Sequence, residues 1–127
     1  LPAAPYVAKE NTIIDLEFLQ EKKKYLEQFC DLLIIEGAGG LMVPIEKDLF
    51  IIDLIKIFEA SAILIAPSKL GCINDTILSV NALKEKNIDF ELFINLYQDI
   101  ESFEKVSKPF LIDYFKKLNF LEDLENL

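Results

Sequence analysis

The sequence predicts an α/β fold: a parallel β-sheet between two helical layers, a three-layer α/β/α arrangement. Three short, continuous apolar runs recur along the chain, in "DLLIIEG", "SAILIAP" and "FELFINL". Such runs suit strands buried on both faces of a parallel sheet. Segments with helical spacing of apolar residues stand between them. Each run also ends on glycine, proline or a polar loop, and strands alternating with helices imply right-handed β-α-β units.

The elements follow in order. "LPAAPYVAKEN" carries two prolines in its first five residues and reads as a loop or extended lead-in. Thr12 is a plausible cap for a helix in which Leu16, Leu19, Leu26 and Phe29 form the apolar face, while Glu21, Lys22, Lys23 and Lys24 are solvated. The first apolar run comes next. "LFIIDLIKIFEA" is helical and leads into "SAILIAP", which stops at Pro67 and the loop "SKLGC". In "NDTILSVNALKEKN", Ile77, Val80 and Leu83, joined by Ile73, lie on one helical face, with Asn74 or Asp75 placed to cap its start. After "FELFINL", residues 99–120 contain Pro109 and are expected to form two short helical pieces. No repeat, linker or low-complexity tract divides the chain, so residues 1–127 read as a single domain or part of one.

Composition narrows the chemistry. With 127 residues, 52% of them hydrophobic, the chain can bury a core. Its net charge of −9 repels phosphate backbones, so no nucleic-acid partner is expected. Every basic residue is lysine, and histidine, arginine and tryptophan are absent. Ser-His-Asp and Cys-His catalysis, a histidine zinc site and an arginine finger in cis are excluded unless residues outside this sequence supply them. Carboxylates, backbone amides and a metal or nucleotide remain as carriers of chemistry. Cys30 and Cys72 are far apart with no Cys-x-x-Cys pattern, and read as reduced core thiols. No apolar run approaches the roughly 18 residues that span a bilayer, and no signal peptide is recognised. No membrane association and a cytoplasmic location are the expectations.

In parallel α/β sheets, ligands bind outside the carboxyl ends of the strands. That directs attention to three loops, at residues 36–44, 67–73 and 95–99. Glu36 ends the first apolar run and is followed by Gly37, Gly39 and Gly40, three of the four glycines in the chain. A carboxylate at a strand end can bind Mg²⁺, which takes a few protein oxygens, several waters and substrate phosphates. Glycines beside it let an anionic group approach backbone amides closely, and Val43 and Pro44 would stiffen the far side of the turn. The residues alone stop at an anion or metal-phosphate site; the spacing is not that of a dinucleotide fingerprint. A flexible connection with a solvated glutamate is the alternative.

Three segments together resemble a known family. "IIEGAGGLMVP" is similar to the strand-loop signature of the dethiobiotin synthetases, the ATP-dependent carboxylases that close the ureido ring in biotin synthesis. "APYVAKE" resembles that family's Ser-Pro-His-x-x-Ala segment, and "KLGCINDTILSVNALK" its Leu-Gly-x-Ile-Asn-His-x-Leu-Leu segment. The order is the same and the spacing compatible, and the resemblance runs from about Leu1 to Asn95. It implies a sheet of the P-loop NTPase type, with ATP as a substrate and Mg²⁺ as cofactor. Glu36 aligns with the Mg²⁺-binding glutamate. Gly37, Ala38, Gly39 and Gly40, with Val43 and Pro44, would lie against the diamine substrate, 7,8-diaminononanoate. Leu70, Gly71, Cys72, Ile73 and Asn74 would hold that substrate's carboxylate, acting across the interface of a homodimer. Asn95 matches the position that reads adenine. In the family's reaction, an amine attacks CO₂ to give a carbamate, ATP phosphorylates it, and the second amine displaces phosphate. No histidine is required.

The resemblance has gaps. The phosphate loop G-x-x-x-x-G-K-[ST] is absent from these residues, and no glycine precedes Gly37. In the family that loop lies upstream, and the chain opens on Leu1 rather than methionine. The expectation is a carboxyl-terminal portion lacking the first βα units and inactive by itself. Ala4, Tyr6 and Asp75 replace the family's serine and two histidines, and its Gly-x-Ile-Pro segment is not recognisable after Phe103. Two other readings are a non-catalytic carboxylate-binding or dimerisation module, and a relative of the cobalamin-pathway amidoligases, which carry a similar Glu-Gly-Ala-Gly run.

Overall fold

The computed structural model describes residues 3–126, which divide into two compact units, the first ending at Ala60 and the second beginning at Ser61. The first contains α1 (Pro5–Ala8), α2 (Leu16–Glu27), β1 (Pro44–Glu46), β2 (Leu49–Phe50) and α3 (Ile51–Ile57). The lead-in expected as a loop holds the short helix α1, because Pro5 occupies its first turn, where a missing N–H costs nothing. Leu1 and Pro2 of that lead-in lie outside the described residues. Helix α2 starts later than Thr12. Asp15 is its N-cap, its Oδ1 accepting from the Phe18 N–H at 3.0 Å.

β1 and β2 form an antiparallel hairpin with an irregularity between Pro44 and Glu46. Ile45 and Ile52 are the buried apolar residues here. Gln20 of α2 reaches the end of α3, its Nε2 donating to the Ile57 carbonyl at 3.0 Å. The Glu46 carboxylate is a second tie. It pairs with Lys9 Nζ at 2.9 Å and accepts from the Ile14 N–H at 3.2 Å, which fastens the amino-terminal segment to β1.

The run at residues 32–36, expected as the first strand, is not in a strand. Leu32, Ile34 and Ile35 are exposed. An apolar run becomes a strand only when a neighbour satisfies its backbone. Among the described residues, neither sheet includes this segment.

The second unit contains β3 (Ala62–Pro67), α4 (Cys72–Glu85), β4 (Phe90–Asn95), α5 (Ile100–Ser102), α6 (Lys108–Phe115) and β5 (Asn119–Phe120), then a 3₁₀ segment, Leu121–Asn126. Its sheet runs β3-β4-β5 with both pairings parallel. Ala66 pairs with Ile94, and Ile94 pairs with Phe120. Ala66 and Ile94 belong to one core cluster with Cys72 of α4 and with Phe103 and Leu111 of the β4-to-β5 crossover. Both crossovers therefore pack on this face, as right-handed connections between sequential strands require. Ile63 and Ile65, which alternate with Leu64 and Ala66, are exposed on the opposite face.

Three details depart from the sequence reading. Helix α4 begins at Cys72, with Gly71 as N-cap at φ +92°, so Asn74 and Asp75 lie inside it rather than at its start. Pro109 lies in the first turn of α6 rather than between two helical pieces, and a π turn, Phe103–Ser107, joins α5 to α6. Proline cannot donate to the carbonyl four residues back, and a widened turn accommodates that loss. The two-residue strand β5 carries too short an apolar signal to be read. Its register with β4 is supported by Asn119, whose Nδ2 donates to the Leu92 carbonyl at 3.3 Å. Both cysteines are free, but only Cys72 is a core residue; Cys30 is exposed.

The Glu46 tie yields a pH test. The Lys9 hydrogen bond, followed by the one from Ile14 N–H, holds the Glu46 carboxyl below its ordinary value of 4.5. A depressed carboxyl stabilises the fold above its unfolded-state value and loses that contribution as pH falls through the folded value. Exchange protection of the Ile14 amide, referenced to intrinsic rates, should therefore fall below about pH 4.5. Glu46→Gln should weaken that protection at neutral pH and remove its acid dependence. An unchanged profile would show that the contact does not anchor this segment.

Candidate functional site

In the first unit the loop at residues 36–44 folds onto the start of α3. The Leu41 and Val43 carbonyls accept from the Ile52 and Ile51 N–H groups at 2.9 and 3.0 Å, and the Gly37 and Gly40 carbonyls accept from Gly39 and Val43 at 3.0 and 3.1 Å. The opening amides of α3 are thus used by the loop itself. Asp53 completes the start of the helix, its Oδ2 accepting from the Phe50 N–H at 2.8 Å.

The three glycines have separate physical reasons. A Cβ on Gly37 would lie 2.8 Å from Ile51 Cγ2, so Gly37 is required by close packing. Gly39 has φ +90° and would place a Cβ 3.0 Å from Val43 Cγ2. Gly40 faces open space. Close approach of a ligand to the backbone is therefore available at Gly40, while Gly37 and Gly39 build the turn that presents it. Ala38 lies between them and is exposed, and Pro44 opens β1.

Glu36 is exposed at the head of this loop. Among the described residues, no group of three or more acidic, cysteine or histidine side chains gathers to hold a metal. A single exposed carboxylate fits Mg²⁺ shared with waters and phosphates, and does not fit an all-protein cage.

In the second unit, the carboxyl ends of β3 and β4 are adjacent, with Pro67 opposite Asn95. Asn95 is half-buried and begins a tight turn in which its carbonyl accepts from the Tyr97 N–H at 3.2 Å. After β3 the chain turns at Lys69, whose carbonyl accepts from the Cys72 N–H at 3.1 Å, and the Gly71 carbonyl accepts from the Asp75 N–H at 3.2 Å. Leu70 is 83% exposed. Cys72 is buried and Ile73 packs against the same core, so in the stretch 70–74 the exposed side chains are those of Leu70 and Asn74. Asn74 Nδ2 donates to Asp75 Oδ1 at 3.3 Å.

The structure thus brings Leu70, Gly71, Cys72, Ile73, Asn74 and Asn95 to one edge of the second sheet, and gathers Glu36, Gly37, Ala38, Gly39, Gly40, Val43 and Pro44 in one loop of the first unit. It also reveals Ser68 and Gln98, absent from the sequence reading. Ser68 is 1% exposed. Its hydroxyl donates to the Gln98 carbonyl, and its oxygen accepts from the Gln98 N–H at 3.3 Å. The only sequence signal is a serine directly after the strand-ending Pro67. Thr76, one helical turn beyond Cys72, is buried with no hydrogen-bond partner for its Oγ1 among the described residues.

The glycine assignments separate in stability. Gly39→Ala should cost about 1–2 kcal/mol through its left-handed backbone, whereas Gly40→Ala should be neutral within about 0.5 kcal/mol. Denaturant unfolding of both variants measures this, and equal effects would contradict the assigned loop geometry.

Residues 2–126 match a family model described as an AAA domain. The chain is 54% identical over 110 residues to the ATP-dependent dethiobiotin synthetase BioD of Sulfurovum sp. (strain NBC37-1), covering 87% of this chain and 52% of that protein. It is 38% identical to the ATP-dependent dethiobiotin synthetase BioD of Wolinella succinogenes, covering 100% of this chain and 61% of that protein. For the protein of the same name from Methanocaldococcus jannaschii, identity is 34%, covering 98% of this chain and 65% of that protein. The chain spans between about half and two thirds of the length of these relatives. It belongs to the AAA domain family, with similarity to ATP-dependent dethiobiotin synthetases running along most or all of its length.

Proposed function

We propose that the full-length protein makes dethiobiotin by ATP- and Mg²⁺-dependent ring closure of 7,8-diaminononanoate with CO₂. The observation that carries this reading is the 54% identity to a protein named as an ATP-dependent dethiobiotin synthetase. One substrate amine attacks the carbon of CO₂ and loses a proton, giving a carbamate. A carbamate oxygen takes the γ-phosphoryl group of ATP and releases ADP. The second amine then attacks the same carbon and loses a proton, and phosphate leaves as the ring closes. Positioning and charge neutralisation suffice for these steps, which suits a chain without histidine.

Glu36 is the proposed Mg²⁺ ligand, and its exposure supports that role. Bound there, the metal would offset negative charge on the ATP phosphates. The backbone at Gly37, Ala38, Gly39 and Gly40, with Val43 and Pro44, lies along the diamine; the open space at Gly40 suits this contact. Leu70, Gly71, Cys72, Ile73 and Asn74 hold the substrate carboxylate of the partner subunit's site in a homodimer. Asn95 reads the adenine ring. No phosphate-loop motif occurs in these 127 residues, and we assign that function to sequence outside them. A cytoplasmic location follows from the biosynthetic role; among the described residues, no helix is long and apolar enough to cross a membrane.

The assay is ATP-dependent formation of dethiobiotin from diamine and bicarbonate. The full-length protein should turn over, and the 127-residue chain alone should not. Failure of the full-length protein would overturn the assignment, and diamine binding indifferent to nucleotide would favour a non-catalytic module. Glu36→Gln should lower kcat by about a hundredfold or more and shift the Mg²⁺ titration to higher concentration. A variant with wild-type Mg²⁺ dependence would remove Glu36 from the metal site.

A further inference from the structure

The two ligand loops of the second unit are joined by one side chain. Ser68 follows β3 directly and precedes the proposed diamine-carboxylate loop at Leu70 to Asn74. Gln98 lies three residues beyond Asn95, the proposed adenine contact. The Ser68 hydroxyl donates to the Gln98 carbonyl and accepts from the Gln98 N–H at 3.3 Å, so both backbone groups of one residue are held by one oxygen. Ser68 itself is 1% exposed, and removing it would leave two backbone groups without that partner.

Each loop has backbone in the left-handed region beside the clamp. Gly71 has φ +92° and Asp99 has φ +50°. The Asn95 turn and the Asp99 start of α5 flank Gln98 on its two sides.

We infer that Ser68 is a positioning residue that couples the two segments, so that occupancy of the carboxylate-binding segment raises the affinity of the neighbouring nucleotide contact. The inference rests on the ligand assignments proposed above. Where the carboxylate loop serves the partner subunit's site, the coupling links diamine occupancy of one site to nucleotide affinity of the other. Coupling of this kind is reciprocal: nucleotide must raise diamine affinity by the same factor.

The experiment uses the full-length protein, with binding of ADP and of 7,8-diaminononanoate measured by calorimetry, each with and without the other. In the wild type, saturating diamine should tighten ADP binding about tenfold. Ser68→Ala should bring that factor close to one, and the loss should appear equally in diamine binding. Hydrogen exchange at the Gln98 amide supplies a readout that needs no variant: diamine alone should slow it in the wild type, beyond any change in global stability. If both ligands bind but Gln98 exchange ignores diamine, the inference fails while the proposed function stands. Full coupling in a folded Ser68→Ala also overturns it. If the wild type binds neither ligand, the proposed function fails and the inference falls with it.

Discussion

The second unit is organised around the burial of Ile94. Its side chain has no solvent exposure, and its register neighbours are Ala66 on one side and Phe120 on the other. Full burial of one isoleucine is worth about 1.5–3 kcal/mol. The geometric consequence is larger than the energetic one. Once Ile94 is covered by Cys72, Phe103 and Leu111, the parallel alignment of β3 with β4 is set, because a slip of one residue would turn this face outward. Pro67 and Asn95 then finish level with each other. Every residue at that sheet edge is placed by the register: the turn at Lys69, the left-handed Gly71, and the Ser68 contact with Gln98.

Parts of this arrangement are legible in the sequence. The strands Ala62–Pro67 and Phe90–Asn95 are short apolar runs closed by proline and asparagine, and they form as expected. Helix α4 is readable from Val80 and Leu83, both buried. Its start is not, because a glycine at φ +92° competes with two good capping residues and only the backbone reveals which one is used. The run at 32–36 shows the opposite problem. Its composition states a demand for burial on both faces, but composition cannot supply a neighbouring strand.

The glycine loop was similarly half legible. Three glycines after a carboxylate announce a special turn. That Gly37 is needed because Ile51 lies against it, and Gly39 because of its φ, depends on contacts far apart in sequence or on dihedral angles. The Ser68 clamp was invisible for the same reason, since Gln98 stands thirty residues away. Local pattern identifies elements and some turns, whereas the contacts that connect turns are properties of the packed chain. The proposed roles of Glu36, the 70–74 stretch and Asn95 come from the family resemblance, and the geometry contributes which backbone and side-chain groups are open to a ligand.

The aliphatic run at 32–36 carries a practical consequence for this polypeptide in solution. Leu32, Ile34 and Ile35 are 77, 83 and 49% exposed, and the segment joins neither sheet among the described residues. Branched aliphatic segments with free backbone groups template the same segment in other molecules. An exposed aliphatic segment of this kind has the composition to add to the edge of a neighbouring strand.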